Sequence, residues 1–498
     1  MVVLNTTVSW TGCVPYFEGV YNLSATTPIL AAIKEYCQKS GLRLHMPGHA
    51  GCKNALPAPF HGVIDYDLTE ISGLDDLHWP SGPIKAAQEL LARAFGAAAS
   101  YFLVNGASSG IHSFFLGLGQ NSKVLVARNA HRSVFAGMVF SGAQPVYIPC
   151  QVNEHGLALA VTAGDVAALL QEHLDVKAVA LVSPSFYGTT SHIADIALLL
   201  KQRGIPLMVD EAHGGHFYFN PDYPPTALAG GADVVINGLH KTLPVLTQGA
   251  CLHIGNTCPN PDRFVQARSL LTTTSPSYLI MASIDLARDW MDRYGREALE
   301  RALCLSHEYR QKINRIKGIR CLSHELLLTG VEALDPLKML ISVDELAEDG
   351  IVLAKRLSDE WNIEVEWKSR DIILAMMSIF HDKEDWQRLY EALYHISRAV
   401  GCKGPRKQTV VPPLPLPQVQ ISPREAYFAS KTAVSLKDSI GKISGEMVVP
   451  YPPGIPCLLP GEQISAEVYM YLDELLRTGY HIQVFDANSS KISIIDQT

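Results

Sequence analysis

Three short stretches of the chain hold residue types that could do chemistry together. NGASSG at 105–110 lies between a β-rich run and an apolar helical pattern that starts at Ile111. A helix N-terminus there offers unpaired N–H groups and partial positive charge, and glycine lets the backbone approach a phosphate closely. Ser108 and Ser109 add hydroxyl donors. DEAH at 210–213 closes a strand-like run. An Asp-Glu pair in that place can hold magnesium at a nucleotide-hydrolysing site, but such a site needs a phosphate loop, G-x-x-x-x-G-K-[ST], which the sequence lacks. Asp210, His213, His216 and His240 keep a metal reading open, with spacing that is permissive and unspecific. GLHKTLPVLTQGA at 238–250 puts Lys241 just past another buried strand. Its ammonium needs a partner there or a covalent use, such as a Schiff base with an aldehyde cofactor. Taken singly, these stretches also match a capped turn, satisfied loop histidines and a surface lysine.

The elements that must position these residues alternate. YFLV (101–104), KVLVA (123–127), VYIP (146–149), AVALVSP (178–184), PLMVD (206–210), DVVING (233–238) and ACLHI (250–254) read as strands. Helical runs separate most of them, at 131–141, 165–174 and 193–204. Short apolar strands alternating with helices predict βαβ units, an α/β fold and a mostly parallel sheet. Such a sheet places ligands at the C-terminal ends of its strands. Ser108, Ser109, His131, Asp210 and Lys241 all fall at those ends. From 277 to 299 a long helical pattern leads toward a second, smaller α/β lobe that includes the strand-like IILAMMSIF (372–380). VVPPLPLPQVQISP (410–423) holds five prolines and reads as a linker. The boundaries expected are an N-terminal arm at 1–65, a large domain at 66–285, a small lobe at 286–405, the linker at 406–423 and a C-terminal domain at 424–498.

The chain has 498 residues, which at roughly 150 per domain allows two to four domains. With 41 basic and 49 acidic residues its formal net charge is −8, which argues against a nucleic-acid binder built on bulk electrostatics. Hydrophobic residues make up 47% and charged ones 18%, a globular mix and not a disordered one. The ten cysteines are scattered without a C-x-x-C pair, and they read as reduced thiols of a cytoplasmic protein. No membrane span or secretory signal is read from the sequence, and no structural metal is expected.

The three stretches gain specificity from their order. A Gly/Ser phosphate loop, then a His, then a strand-terminal Asp, then a Lys about 30 residues on is the order of fold type I pyridoxal-phosphate enzymes of the aspartate-aminotransferase type. The chain resembles one family of these closely, the Orn/Lys/Arg decarboxylases. The resemblance runs from about residue 25 to about 490. LRLHMPGH (42–49), the run at 67–97, LVNGASSG (103–110), ARNAHRSV (127–134), LMVDEAHGGH (207–216), GLHKTLPVLTQGACLH (238–253), TTTSPSY (272–278) and PYPPGIPCLLPGE (450–462) carry it. Its length is similar to that of short members without an N-terminal response-regulator-like domain.

The resemblance implies pyridoxal 5'-phosphate as cofactor, with Lys241 forming the Schiff base. Asp210 would pair with the pyridine nitrogen, and His131 would stack on the ring. Ser108, Ser109, His213 and His240 would hold the phosphate or its surroundings, and His240 or Lys241 would reprotonate the substrate. Thr274 and Ser275 would reach the cofactor phosphate from a partner subunit. Glu462, and more weakly Glu446, would meet the distal cation of a basic amino acid. The activity implied is decarboxylation in polyamine metabolism: arginine to agmatine by preference, lysine to cadaverine or ornithine to putrescine otherwise. A homodimer or a higher homo-oligomer is implied with it. Gly238, Ala50 and Ala107 stand where the family commonly has Ser, Lys and Thr, each removing a polar side chain near the expected site. Two other readings therefore stay open: an aminotransferase or lyase on the same scaffold, and a weakly active or non-catalytic regulatory paralogue.

Overall fold

The computed structural model describes residues 26–39, 41–153, 155–404, 416–450, 456–477, 482–483 and 491–496. Much of the expected N-terminal arm, most of the proline-rich linker and the YPPG run lie outside the described residues. The chain divides into two compact units. Of the described residues, the larger takes those within Leu23–Trp290, Ser323–Asp335 and Lys407–Thr498, and the smaller those within Met291–Leu322 and Pro336–Arg406.

The larger unit is built on a seven-stranded sheet: β1 (Ala99–Leu103), β2 (Lys123–Ala127), β3 (Gln144–Ile148), β4 (Ala178–Val182), β5 (Leu207–Asp210), β6 (Val234–Asn237) and β7 (Ala250–Ile254), in the order β1-β7-β6-β5-β4-β2-β3. These runs are rich in Val, Ile, Leu and Ala because both faces are covered, so no solvent side asks for polar alternation. Alternate residues part to the two faces. Val124, Val126, Ala180 and Ile236 pack with Phe114, Phe115 and Met138 of α1 (Gly106–Gly117) and α2 (Arg132–Ser141). Leu125, Leu181, Val209 and Val235 pack with Leu170, Ile196 and Leu200 of α3 (Ala163–Glu172) and α4 (Ile193–Lys201).

The predicted mostly parallel sheet is found. One strand runs against the other six: β7 is antiparallel to both β1 and β6. The connection from β6 to β7 holds only the 3-10 turn Leu239–Lys241 and no crossover helix, so the chain must return antiparallel. A second difference lies at the Gly/Ser loop. Helix α1 begins at Gly106 and not at Ile111, so the loop residues form its first turns.

Val331–Leu334 returns to the larger unit and pairs antiparallel with Thr189–Ser191. Lys431–Ser435 and Lys491–Ile495 form an antiparallel pair. Helix Ala466–Arg477 buries Val468, Leu472 and Leu475 with Val448, Leu458 and Ile494.

The smaller unit has a four-stranded antiparallel sheet, Arg320–Cys321, Lys338–Ser342, Ile372–Met376 and Trp367–Lys368 in that order. Its helices are Arg296–Ile313, Gly350–Trp361 and Lys383–Val400, the last begun by a capping box of Asp382 and Asp385. The long helical pattern at 277–299 is not one helix. Tyr278–Trp290 is α-helical, Met291–Gly295 forms a π turn, and Arg296 starts the next helix.

Candidate active site

Strand ends and the turns that follow them set every side chain of the site. Asp210 is the last residue of β5, beside Val182 of β4 and Ile236 of β6 in register. It is 5% exposed, and its Oδ1 accepts the N–H of Ala212 at 3.1 Å. β6 ends at Asn237, and Gly238 leads into the turn that carries His240 and Lys241. Lys241 Nζ lies 3.1 Å from His213 Nε2. The ammonium donates and the ring nitrogen accepts, so this contact fits a neutral His213 with its proton on Nδ1. The His240 ring Nδ1 donates to the carbonyl of Gly249 at 3.1 Å, leaving Nε2 as the ring's acceptor.

His131 is the N-cap of α2. Its Nδ1 accepts the Ser133 N–H at 3.3 Å and lies 2.9 Å from the Ser133 hydroxyl, which assigns the proton of the neutral ring to Nε2. Burial holds this ring below the ordinary histidine value, against the pull of the Asp210 carboxylate. Gly106 opens α1 with φ +76, a conformation that favours glycine, and no atom lies within 4 Å of where a Cβ would stand.

Ser108, His131, Asp210, His213, His240 and Lys241 line one cavity of about 290 Å³. The other predicted residues lie elsewhere. Ser109 turns its hydroxyl into its own helix, donating to Gly106 O at 2.8 Å. Thr274 and Ser275 are exposed, on a loop held by His78, whose Nε2 donates to Thr273 O at 3.0 Å. His216 pairs with Asp335 through Nε2 at 3.2 Å and is buried. Among the described residues no group of three or more His, Cys, Asp or Glu is placed to hold a metal ion. Glu446 is buried, its Oε1 accepting the Ser493 N–H at 2.5 Å.

Glu462 does not face the cavity. Its Oε1 and Oε2 accept from Arg128 Nη1 and Nη2 at 2.6 and 3.1 Å, and Oε2 also accepts the Leu459 N–H at 2.7 Å. Arg128 Nη2 donates further to Cys457 O at 2.8 Å, and both side chains of the pair are 1% exposed. The expectation that Glu462 meets a substrate cation is corrected on this geometry: Arg128 already occupies its carboxylate.

Among the lining residues that sequence reasoning missed are the amides Asn129 and Gln248. Asn129 falls within the ARNAHRSV run, two residues past the end of β2, which is the signal that could have found it. Its Oδ1 is buried with no hydrogen-bond partner among the described residues. That unmet acceptor, the open face at Gly106, the hydroxyl of Ser108, the carboxylate of Asp210 and the amine of Lys241 form a donor and acceptor set that fits pyridoxal phosphate.

Comparison with known proteins agrees with that fit. Residues 27–385 match the profile of the Orn/Lys/Arg decarboxylase major domain, and residues 407–488 match that of the Orn/Lys/Arg decarboxylase C-terminal domain. An arginine decarboxylase of Bacillus subtilis (strain 168) is 35% identical over 92% of this chain and 95% of its own length. One of Bacillus anthracis is 33% identical over 93% and 96%. The constitutive lysine decarboxylase of Escherichia coli is 24% identical over 93% of this chain and 79% of its own length. In structure, the E. coli constitutive lysine decarboxylase superposes with a TM-score of 0.80 at 21% identity, covering 95% of this chain and 82% of that one. The fold is that of the fold type I enzymes, and no helix among the described residues is long and apolar enough to cross a membrane. The chain belongs to the Orn/Lys/Arg decarboxylase family and is a decarboxylase of basic amino acids, for which the family implies pyridoxal phosphate.

Proposed function

We propose that the protein decarboxylates L-arginine to agmatine, with pyridoxal phosphate held at Lys241. The observation that supports the chemistry is the meeting of Lys241, Asp210 and His131 in one cavity at the strand ends. Arginine is favoured because relatives at 33–35% identity over more than nine-tenths of the chain are named arginine decarboxylases, against 24% for a lysine decarboxylase.

The cofactor, when bound, supplies an electron sink for the pair left when the α-carboxylate departs as carbon dioxide. Asp210, buried at the end of β5, would keep the ring nitrogen protonated. Gly106 and Ser108 at the start of α1 would hold the phosphate with N–H and O–H donors. His131, fixed by Ser133, would cover one ring face, and Asn129 would use its unmet Oδ1 on a ring or substrate donor. The reaction consumes one proton at the substrate Cα. Lys241 Nζ and His213 Nε2, 3.1 Å apart, would hold that proton between them, with His240 Nε2 as a second candidate.

The exposed Thr274 and Ser275, together with exposed apolar Leu42, Leu44, Trp79 and Leu270, support a homodimer as the working assembly. The test is an absorption spectrum of purified protein with pyridoxal phosphate, followed by arginine, lysine or ornithine and a carbon dioxide assay. A near-visible band that is lost in Lys241→Ala, with carbon dioxide from arginine, is the expected result. A band without carbon dioxide from arginine overturns the substrate, and no band overturns the reading of Lys241.

A further inference from the structure

Among the described residues, six other than glycine have positive φ: Ala50, Asp75, Asn121, Gln248, Asn260 and Asn362. Asparagine tolerates this region. Asp75 has a visible return, since its carboxylate accepts backbone N–H groups of Ser81, Gly82, Ile84 and Lys85 and so closes the open end of helix Pro83–Phe95. Ala50, at φ 50, carries only a methyl group and does not line the cavity. Gln248 is different. At φ 79 it has the largest positive value of the six, in a position where glycine would cost less. Its side chain has no hydrogen-bond partner among the described residues, yet it lines the same cavity as Asp210, His131 and Lys241.

The turn that carries Gln248 is tied to the lysine. Gly249 O accepts both the backbone N–H and the ring Nδ1 of His240, each at 3.1 Å, and Gly249 N donates to Leu246 O at 2.9 Å. A Cβ on Gly249 would stand 2.2 Å from Val245 Cγ1, so the turn packs tightly at this position. Gln248 is therefore held in a fixed relation to His240 and its neighbour Lys241. A side chain kept in a costly backbone conformation, at a cavity wall and without an internal partner, points to use by a ligand.

The chemistry of the reaction selects which part of the ligand. The departing carboxylate loses its charge as carbon dioxide forms. A cation beside it would stabilise the bound substrate more than the transition state, whereas a neutral donor orients it with less of that penalty. Among the neutral donors that line the cavity, Gln248 is the exposed amide. We infer that Gln248 is a substrate-positioning residue whose side-chain amide donates to the α-carboxylate that leaves. The inference rests on the decarboxylase reading above.

The test compares an amino acid with its own amine, which lacks the carboxylate. Binding of arginine and of agmatine to the holoenzyme is followed by cofactor absorbance in rapid mixing, before arginine is turned over, for wild type, Gln248→Gly and Gln248→Glu. Thermal melts of the same samples are recorded. Gln248→Gly should melt at the same temperature or higher, because its backbone is relieved. It should bind arginine about tenfold more weakly, about 1.4 kcal/mol, with agmatine within about twofold. Gln248→Glu should weaken arginine further and strengthen agmatine, since a carboxylate repels one and attracts the other. Equal loss for both ligands, unchanged arginine affinity, or a lower melting temperature in Gln248→Gly would overturn the inference. Lysine with cadaverine and ornithine with putrescine are run in parallel. A wrong choice of amino acid then shows as a different responding pair, and the acid-to-amine ratio still reports on Gln248.

Discussion

Arg128 and His131 lie three positions apart along the turn after β2, and they serve opposite kinds of charged cluster. His131 belongs to the cavity. There Asp210 Oδ1 has the Ala212 N–H at 3.1 Å, Asn129 Oδ1 has no partner among the described residues, and Gln248 stands in strained backbone. Arg128 belongs to a sealed seam, where it meets Glu462 through two hydrogen bonds and donates again to Cys457 O, while Leu459 N–H also donates to Glu462. The Arg128 guanidinium also lies 4.7 Å over the Tyr147 ring. Charge paired within the fold holds two parts of a chain together, and in this seam Arg128 Nε alone lacks a partner among the described residues. Charge with bonds to spare is available to a ligand, and the cost of leaving it so is met by the surrounding fold.

Breaking the seam should give the largest effect on stability. Glu462→Ala strands a buried guanidinium and should cost roughly 3–5 kcal/mol, read as a large drop in melting temperature. Replacing both partners together with Met and Leu should recover most of that loss. If melting is unchanged in Glu462→Ala while KM for arginine rises, the carboxylate serves the substrate and the contrast fails.

Glu211 sharpens the comparison, because it neighbours Asp210 in sequence and belongs to the sealed kind. Tyr218 O–H donates to its Oε2 at 2.5 Å, Ala227 N–H to its Oε1 at 2.7 Å, and Asn237 Nδ2 to Oε2 at 3.2 Å. Burial pushes this carboxyl from 4.5 up to about 7. A folded value above the unfolded one means the folded state holds the proton more tightly. Its stabilising contribution is whole below pH 4.5 and is lost as pH rises to about 7. Relative to Glu211→Gln, the wild type should lose at most about 1.4 kcal/mol per pH unit across that window and run parallel to it above. Denaturant melts of both proteins at several pH values check this, and parallel curves throughout would count against a buried, proton-holding Glu211.

The smallest effect is expected at Gly238. A Cβ there would stand 3.1 Å from Ala212 O and 3.3 Å from Ala212 Cβ, so Gly238→Ser needs a slight shift of the turn before Lys241. We expect a loss of about 1 kcal/mol or less together with tighter retention of pyridoxal phosphate from the added hydroxyl. Dialysis of holoenzyme with absorbance readings measures the second quantity, and unchanged retention would show that the hydroxyl does not reach the phosphate.

Much of the large unit was legible because its signals are local. Runs such as KVLVA and ACLHI are too short for helices and too apolar for loops, and both are strands with the bounds read from sequence. The rule that ligands gather at the C-terminal ends of parallel strands then put His131, Asp210 and Lys241 in one neighbourhood. The start of α1 is not legible in the sequence, because a Gly/Ser stretch looks like a turn until its N–H and C=O groups find helical partners. By itself, then, the sequence determined the strands, the order of the chemical residues and the family motifs. The tertiary structure alone decided that β7 runs against its neighbours, that Glu462 finds Arg128 from 334 positions away, and that Gln248 is held at φ 79 on the cavity wall. The physical reason is range. Side-chain periodicity is set within a few residues, whereas the partner of a buried charge is set by which distant surfaces pack together.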